Sequence, residues 1–474
     1  MSNRRIFLRN SILAGLGLGS VEGLSRPVRM ATGSPPGLRV DHETDICVLG
    51  GSCTGVFAAI RASRLGARVT LIEKNNAFGG VATNSLVFVW HSLKDTEFKK
   101  QIIAGLTLET VERLKKRDAV TGKEESASKA FTFNSQELKI ELDEMVSENG
   151  IRPMLHTLFS EPVTEDGKLV GIVIENKDGR SVIRAKQFID ATGDGDLAFR
   201  LGLPTYASDR LLPPTTCAHI EGYETLINEI SSLVREHGGE FNLPEGFLWG
   251  GRVPGSHTVM VAGTRVYDAD CSVAGDLTRA EMEGRRQVRA ILDIIRKYRP
   301  DSPVTLTALP SHIGIRQTRQ VKCQHRLTGE EVLNGTEFED AIAYGSYRVD
   351  IHHQEKPGIT FKYLDGTRVY QETGKEGVVS RWREERAVNP TFYQVPFRSI
   401  VPGGFGNLLV AGRMLDADLE AFSGVRVMVN MNQLGEAAGT AAYLALNGEC
   451  DMTDLDVQKL RREMNRGGSV LDGG

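Results

Sequence analysis

None of the six cysteines in these 474 residues (Cys47, Cys53, Cys217, Cys271, Cys323 and Cys450) forms a C-x-x-C pair with another. Zinc ribbons and ferredoxin-type clusters are built from closely spaced thiolates, so no metal site is expected, and the spacing also argues against a cluster assembled from distant cysteines. Charge of one sign is missing too. The 57 basic and 61 acidic side chains give −4 with no basic stripe or acidic tail, so no nucleic-acid partner is expected. No apolar run is long and glycine-poor enough for a stable transmembrane span. Glycine, in contrast, is plentiful: 51 residues, many in short clusters between apolar runs, as suits tight turns around a bound cofactor. The length exceeds one small core, so one large α/β domain or two to three units are expected.

The amino terminus reads "NRRIFLRNSILAGLGLGS", with Arg4-Arg5 ahead of Phe7-Leu8-Arg9 and a short glycine-rich apolar stretch. This resembles a bacterial twin-arginine export signal; the plainer reading is a basic amphipathic arm. The first implies the twin-arginine export machinery as a partner and a periplasmic or exported location, the second a cytoplasmic one. That export route carries folded proteins, so a cofactor can be in place before transport. Ser34–Gly37, with Pro35-Pro36, reads as a linker that closes the signal region at 1–37.

The first structured stretch is "DICVLGGSCTGVFAAIRASRLGARVTLIEK", Asp45–Lys74. An apolar strand runs into a glycine turn, an alanine-rich helix follows with Val56, Ala59, Ile60 and Ser63 on one face, and a second apolar strand ends in an acid. Gly50 permits the tight turn, and Gly55 lets the helix lie close to the strand. The middle glycine of the G-x-G-x-x-G fingerprint is Ser52, small enough for backbone approach and with a hydroxyl that can face phosphate. The helix start offers free N–H groups to a pyrophosphate. Glu73, twenty-three residues after Gly50, stands where an acid bonds a ribose 2′-OH, which disfavours NADP.

Three further segments choose the dinucleotide: "NNAFGGVATNS" after Glu73, "FIDATGDGDLAFRLG" near residue 190, and "NLLVAGRMLDADLEAFSGVRVMVNMNQLGEAAGTAAYLAL" near the carboxyl end. With the first unit they resemble the glutathione reductase-like flavoprotein superfamily, and within it the bacterial FAD-dependent oxidoreductases related to the flavin domain of heterodisulfide reductase. The resemblance extends from about Asp45 to about Leu446, with "PSHIGIRQTRQ" and "YGSYRVDIHH" matching the middle region. It implies FAD as cofactor. Gly50, Ser52 and Gly55 would hold the pyrophosphate and Glu73 the adenosine ribose, with Gly193 near the nucleotide half. Gly80, Ala82 and Thr83 would pass along the ribityl and flavin side. Gly412 and Arg413, with a helix starting near Gln433-Leu434-Gly435, would close over the flavin.

Departures from that family matter as well. "FGGVATNSLVFVWHS" carries no cysteine pair, so disulfide exchange is not expected, and no second strand–glycine–helix–acid unit for a nicotinamide is present. The electron acceptor is therefore expected to be a quinone, a partner protein or O₂. The implied fold is α/β: a Rossmann-like, glutathione reductase-like FAD domain at 38–200 and 401–450, with a β-meander after a helix at Asn134–Asn149. An α+β substrate domain is inserted at 201–400, and a polar, partly helical tail follows at 451–474.

For chemistry, a flavin that oxidises an alcohol wants a base near the donor proton, and one that reduces an alkene wants an acid. His91, eleven residues after Gly80, is a candidate, with a core histidine beside Trp90 as its plainer reading. His352, next to His353, is another, against a structural hydrogen bond. Arg316 and Arg319 could clamp a carboxylate or sugar hydroxyls, or form an interdomain salt bridge. Arg413 follows a strand that should abut the flavin. The residues thus point to an FAD-dependent oxidoreductase that takes hydride from a small polar substrate such as a sugar-derived alcohol or hydroxy acid. The alternatives are a non-redox flavin isomerase or lyase and a cofactor-free secreted binding protein.

Overall fold

The computed structural model describes residues 37–123, 125–222, 227–246, 248–301 and 303–471; the export signal and linker, apart from Gly37, lie outside the described residues. Ile46–Leu49 are buried on both faces, as a strand inside a parallel sheet must be, which is why their sequence is a continuous apolar run. They end β1 (Val40–Leu49), and α1 (Cys53–Arg64) and β2 (Val69–Ile72) follow. A helix at Ser135–Glu148 comes next, capped by Asn134, which accepts the Gln136 N–H; Leu138, Leu142 and Met145 are buried on the face their spacing predicts. Then come β3 (Arg152–Met154), β4 (Leu158–Glu165), β5 (Lys168–Asn176) and β6 (Gly179–Asp190).

These strands form one sheet in the order β3-β2-β1-β6-β5-β4, parallel from β3 to β6 and antiparallel from β6 to β4. The meander is thus continuous with the nucleotide sheet, and its last strand lies directly against β1.

Residues 201–400 add two antiparallel sheets of four strands. One comprises Cys217–Glu221, Trp249–Arg252, Val259–Ala262 and Thr305–Ala308. It is backed by α2 (Ala274–Tyr298), whose Val288, Ile291, Leu292 and Ile295 share a core with Ala218, Ile220 and Val261. The other sheet starts with β7 (Val349–His352) and continues through Ile359–Lys362, Thr367–Gln371 and Val378–Arg381.

The chain then rejoins the first sheet as β8 (Leu408–Val410), parallel to β6, and continues into α3 (Leu419–Val425) and α4 (Met428–Gly448). Helix α4 begins five residues before the expected Gln433. Its N-cap, Val427, has no side-chain acceptor, so no capping signal marks the start, and packing against α1 sets the boundary instead. A Cβ at Gly435 would stand 2.1 Å from the Thr54 carbonyl oxygen, and one at Gly439 2.0 Å from that of Ala58. The two glycines, one turn apart, let α4 lie on α1 with the backbones nearly touching. Buried Glu436 accepts from Arg61 of α1 and from the Leu106 N–H, so the contact is polar-satisfied as well as close.

The inserted region is bonded to this unit: Gln433 of α4 exchanges two amide hydrogen bonds with the Tyr344 backbone, at 3.1 and 2.8 Å. The tail is docked rather than free as far as Leu471. It holds a helix at Val457–Arg466, Gly468 accepts from the Gly105 N–H, and the buried Leu471 carbonyl accepts from Tyr344. No helix among the described residues is long and apolar enough to cross a membrane.

Candidate active site

At their carboxyl ends β1, β2, β6 and β8 are in register: Leu49 pairs with Ile72 and Asp190, and Asp190 with Val410. The residues that follow those ends (Gly50, Glu73, Ala191–Asp194 and Gly412–Arg413) therefore share one edge of the sheet, where open α/β sheets bind ligands. A cavity of about 480 Å³ opens there, lined by all of them and extending to the inserted region.

The turn after β1 shows what Ser52 does in place of glycine. Gly50 has φ +99°, and a Cβ on it would lie 2.4 Å from the Ala191 carbonyl oxygen. Gly55 sits behind the turn, where a Cβ would lie 1.9 Å from the Gly50 oxygen. Ser52 is the N-cap of α1 and makes no side-chain bond to the first turn, so its hydroxyl on the cavity wall is unspent. The first N–H groups of α1 likewise have no intrahelical partner. Glu73, 7 % exposed, lines the same wall. One carboxylate oxygen accepts the Gly51 N–H at 2.7 Å, and the other accepts from Asn75 at 2.8 and 2.7 Å.

Across the edge, Asp190 splints the turn after β6. Its two oxygens accept from Thr192 and from the N–H groups of Leu197 and Ala198, while burial pushes its carboxyl up to about 6. Gly193 is on the wall, and Arg413 Nη2 donates to Asp194 at 3.1 Å. Burial raises the Asp194 carboxyl, but Arg413 and Lys74 outweigh it and hold it below the usual range. Arg413 Nη1 is buried with no partner. Val427, Met428, Met431 and Asn432 bring the amino end of α4 to the cavity, with no acid in its first turn.

Four expected cofactor contacts are not on the wall, and Gly55, behind the turn, is the first. Ala82 and Thr83 are fully buried: around the short helical turn at Gly80–Ala82 it is Val81, Asn84 and Ser85 that line the cavity, and the Thr83 hydroxyl is spent on the Phe78 carbonyl. Gly435 is a helix–helix contact, because α4 starts earlier than its sequence indicates.

The inserted region supplies the remaining wall. Asp350 and His352 alternate along β7 and so face one side, Arg348 immediately precedes the strand, and all three line the cavity. Asp350 Oδ1 stands 3.1 Å from His352 Nε2; Oδ2 accepts from the Tyr347 hydroxyl at 3.0 Å and stands 3.6 Å from Arg426 Nη2. Burial raises the Asp350 carboxyl, yet His352, Arg426 and Arg348 together hold it well below the ordinary range. Burial lowers His352 to about 4, so the ring is neutral at pH 7. A carboxylate only accepts, so the Nε2 facing Asp350 carries the ring proton. Nδ1 is then a bare lone pair, and it has no partner.

His91 is also lowered to about 4 by burial; its Nδ1 donates to the Ser128 carbonyl at 2.9 Å and its ring stacks on Tyr347 at 4.1 Å. It lies on the cavity rather than in a core beside Trp90. Arg316 is on the wall, anchored by Nη1 to the Pro213 carbonyl and the Thr215 hydroxyl. Burial lowers it to about 9, which leaves a full charge at pH 7. Arg319 is not on the wall. Its guanidinium stacks on Phe199 at 4.0 Å and lies 3.6 Å from Asp196, the interdomain reading rather than the clamp. The expected pair splits because the chain between them is neither helix nor strand, so their spacing assigns no shared face.

Beside Arg316, the charges of this wall come from Arg348, Asp350 and Arg426, and none of these three is among the candidates drawn from the sequence. The period-two spacing of Arg348, Asp350 and His352 is a readable signal. Nothing local marks Arg426, which α3 delivers from its carboxyl end.

Residues 45–464 match the model of a family described as FAD dependent oxidoreductase. Over 103 residues the chain is 31 % identical to an acrylate reductase flavoprotein subunit of Shewanella woodyi, a match covering 21 % of this chain and 20 % of that one. A geranylgeranyl bacteriochlorophyll reductase-like protein from Thermoplasma acidophilum is similar in structure, with TM-score 0.47 and 12 % identity over 90 % of this chain and 84 % of that one. The p-nitrophenol 4-monooxygenase of Pseudomonas putida is similar at TM-score 0.42 and 10 % identity, over 91 % and 90 %.

Proposed function

The chain belongs to the FAD dependent oxidoreductase family, and from that premise we propose that it oxidises the alcohol carbon of a small polar substrate, with His352 as the base. Its mixed α/β fold carries a Rossmann-type FAD-binding unit, and FAD is its cofactor. The residues present fit that group: space at Gly50 that a Cβ would fill, an unspent Ser52 hydroxyl at an open helix end, and a buried Arg413 nitrogen without a partner. Gly50, Ser52, Gly80, Gly193 and Gly412 would hold it, with Glu73 on the ribose. When bound, FAD supplies an acceptor for the hydride that leaves the alcohol carbon.

The observation that carries this reading is the bare Nδ1 of His352. His352 lines the cavity, its Nδ1 is a buried acceptor without a partner, and the carboxylate 3.1 Å from Nε2 stabilises the charged ring once it has taken the hydroxyl proton. His91 offers the same tautomer argument but leans on a carbonyl and a phenol ring, so it supports the wall and binds substrate. The reverse direction, which the name of the Shewanella relative suggests, needs a proton donor where His352 presents a lone pair.

Anaerobic mixing of the FAD-loaded protein with a panel of polyols and hydroxy acids tests the proposal. Loss of the visible flavin band with at least one of them is expected, and His352→Asn should slow that loss about 10²- to 10⁴-fold with flavin retained. Equal rates in the two proteins, or no bleaching at all, would overturn it. We further propose a glutathione reductase-like type for the FAD unit, a quinone, a partner protein or O₂ as acceptor, and export by the twin-arginine route. Changing Arg4 and Arg5 together to lysine should leave the protein in the cytoplasm.

A further inference from the structure

We infer that the substrate of this cavity is a small dicarboxylate, bound by Arg316, Arg348 and Arg426. The inference rests on the proposed function for its location and adds the substrate's charge. Three guanidinium groups line the wall that the inserted region and α3 supply, and Asp350 is the one carboxylate among the described residues that accompanies them there. Among the other ionisable groups lining the cavity, His91 and His352 are neutral, burial pushes the Tyr347 phenol up, and Lys129 adds a cation whose Nζ donates to the Gly250 carbonyl at 3.2 Å. A net positive charge of two or more in a mostly buried cavity is costly unless an anion enters. The cations of the nucleotide wall are accounted for separately, since Arg413 and Lys74 act on Asp194.

The guanidinium groups are also held ready. Arg348 stacks its face 4.1 Å from the Phe361 ring centre, which fixes its plane and leaves its in-plane N–H donors uncommitted. Its Nε is buried with no partner, and so is that of Arg426. Arg316 is tethered through one nitrogen only among the described residues. Planar forks with unspent donors match carboxylates in a bidentate way. One carboxylate would leave half or more of the excess charge unanswered; two offset twice as much, and the free lone pair of His352 takes the hydroxyl.

Malonate separates this inference from the oxidation reading, because it has two carboxylates and no hydroxyl to oxidise. Its binding to the FAD-loaded protein is read from the shift of the flavin absorption spectrum and from calorimetry, beside propionate, propane-1,3-diol and inorganic phosphate. Malonate should bind at least about tenfold more tightly than propionate, with no binding of the diol, and the affinity should fall with added salt. Arg348→Gln and Arg426→Gln should each weaken malonate about 10- to 100-fold while flavin content and melting temperature stay near those of the parent. His352→Asn should keep malonate binding while losing bleaching.

Malonate binding no tighter than propionate, phosphate binding at least as tightly as malonate, or unchanged affinity in flavin-loaded arginine variants would each overturn the inference. The wild-type comparison stands even where a variant fails to fold. Bleaching by neutral alcohols without malonate binding would overturn this inference alone. Malonate binding without bleaching by any alcohol would overturn only the oxidation.

Discussion

The nucleotide wall of the cavity is made of backbone and the substrate wall of side chains. On the first, the ends of four parallel strands, two helix termini and close-packed glycines shape the surface, and the described acids are each spoken for: Glu73 by three donors, Asp194 by Arg413. On the second, three arginines face one carboxylate and two neutral histidines, and donors are left over. Both walls keep donors in reserve, Ser52 and Arg413 Nη1 on the first and the arginines on the second, but the excess positive charge lies on the substrate wall. A backbone wall serves one unchanging ligand, and a side-chain wall can be retuned residue by residue.

The strongest way to break that contrast is to add one carbon to the nucleotide wall. Gly55→Ala puts a Cβ about 1.9 Å from the Gly50 oxygen, and backbone at the sheet edge has nowhere to move. The expected outcome is loss of flavin and a destabilisation of about 4 kcal/mol or more, read by flavin content and thermal denaturation. A flavin-loaded Gly55→Ala protein with the parental melting temperature would mean that the wall is not backbone-limited.

A smaller effect is expected at Glu73. Glu73→Ala should weaken FAD about 10- to 100-fold by titration of the apoprotein. The bleaching rate of the FAD-saturated variant should be unchanged, because nothing on the substrate wall depends on Glu73. A slowed rate at saturation would show that the two walls are coupled.

The smallest effect is in pH. Burial holds His91 and His352 near 4 against an ordinary 6.5, so between those values the unfolded chain binds protons that the fold refuses. Their contribution is fully present above pH 6.5 and is lost as pH falls toward 4. Asp190 has the opposite sign: raised to about 6 from 3.8, it favours the fold at low pH and loses that advantage as pH rises through 6. His219 and His353, also lowered by burial, add to the two histidines, and Glu436 and Asp196, raised by burial, to the carboxyl; the histidines outweigh them, so stability should rise with pH between 4 and 6. Denaturant unfolding of the apoprotein at a series of pH values checks this, and His352→Asn should flatten the slope. A slope of reversed sign would place the dominant titration on the nucleotide wall.

The difference between the walls is also a difference in legibility. The β1–α1–β2 unit is readable because its parts are neighbours in sequence: the turn, the helix start and the acid are fixed by local geometry within thirty residues. Strand ends at Ala191 and Gly412 are readable from apolar runs that stop at glycine. Gly435 reads as a terminal glycine but is a packing one, because α4 begins earlier, at an uncapped valine. Spacing pairs Arg319 with Arg316, but an irregular backbone gives spacing no meaning. Adjacency to Gly80 suggests cofactor contacts at Ala82 and Thr83, where one tight turn instead sends both residues inward.

By itself, the order of residues determined a dinucleotide sheet, its glycine turn and the acid that ends the second strand, since each depends on backbone conformations a few residues long. Only the tertiary structure decided which charges meet. Arg316, Arg348 and Arg426 lie up to 110 residues apart and gather around Asp350 and His352 because β7, α3 and the segment before β7 converge on one cavity. Electrostatic interaction follows distance in space, and distance in space between remote segments is set by packing.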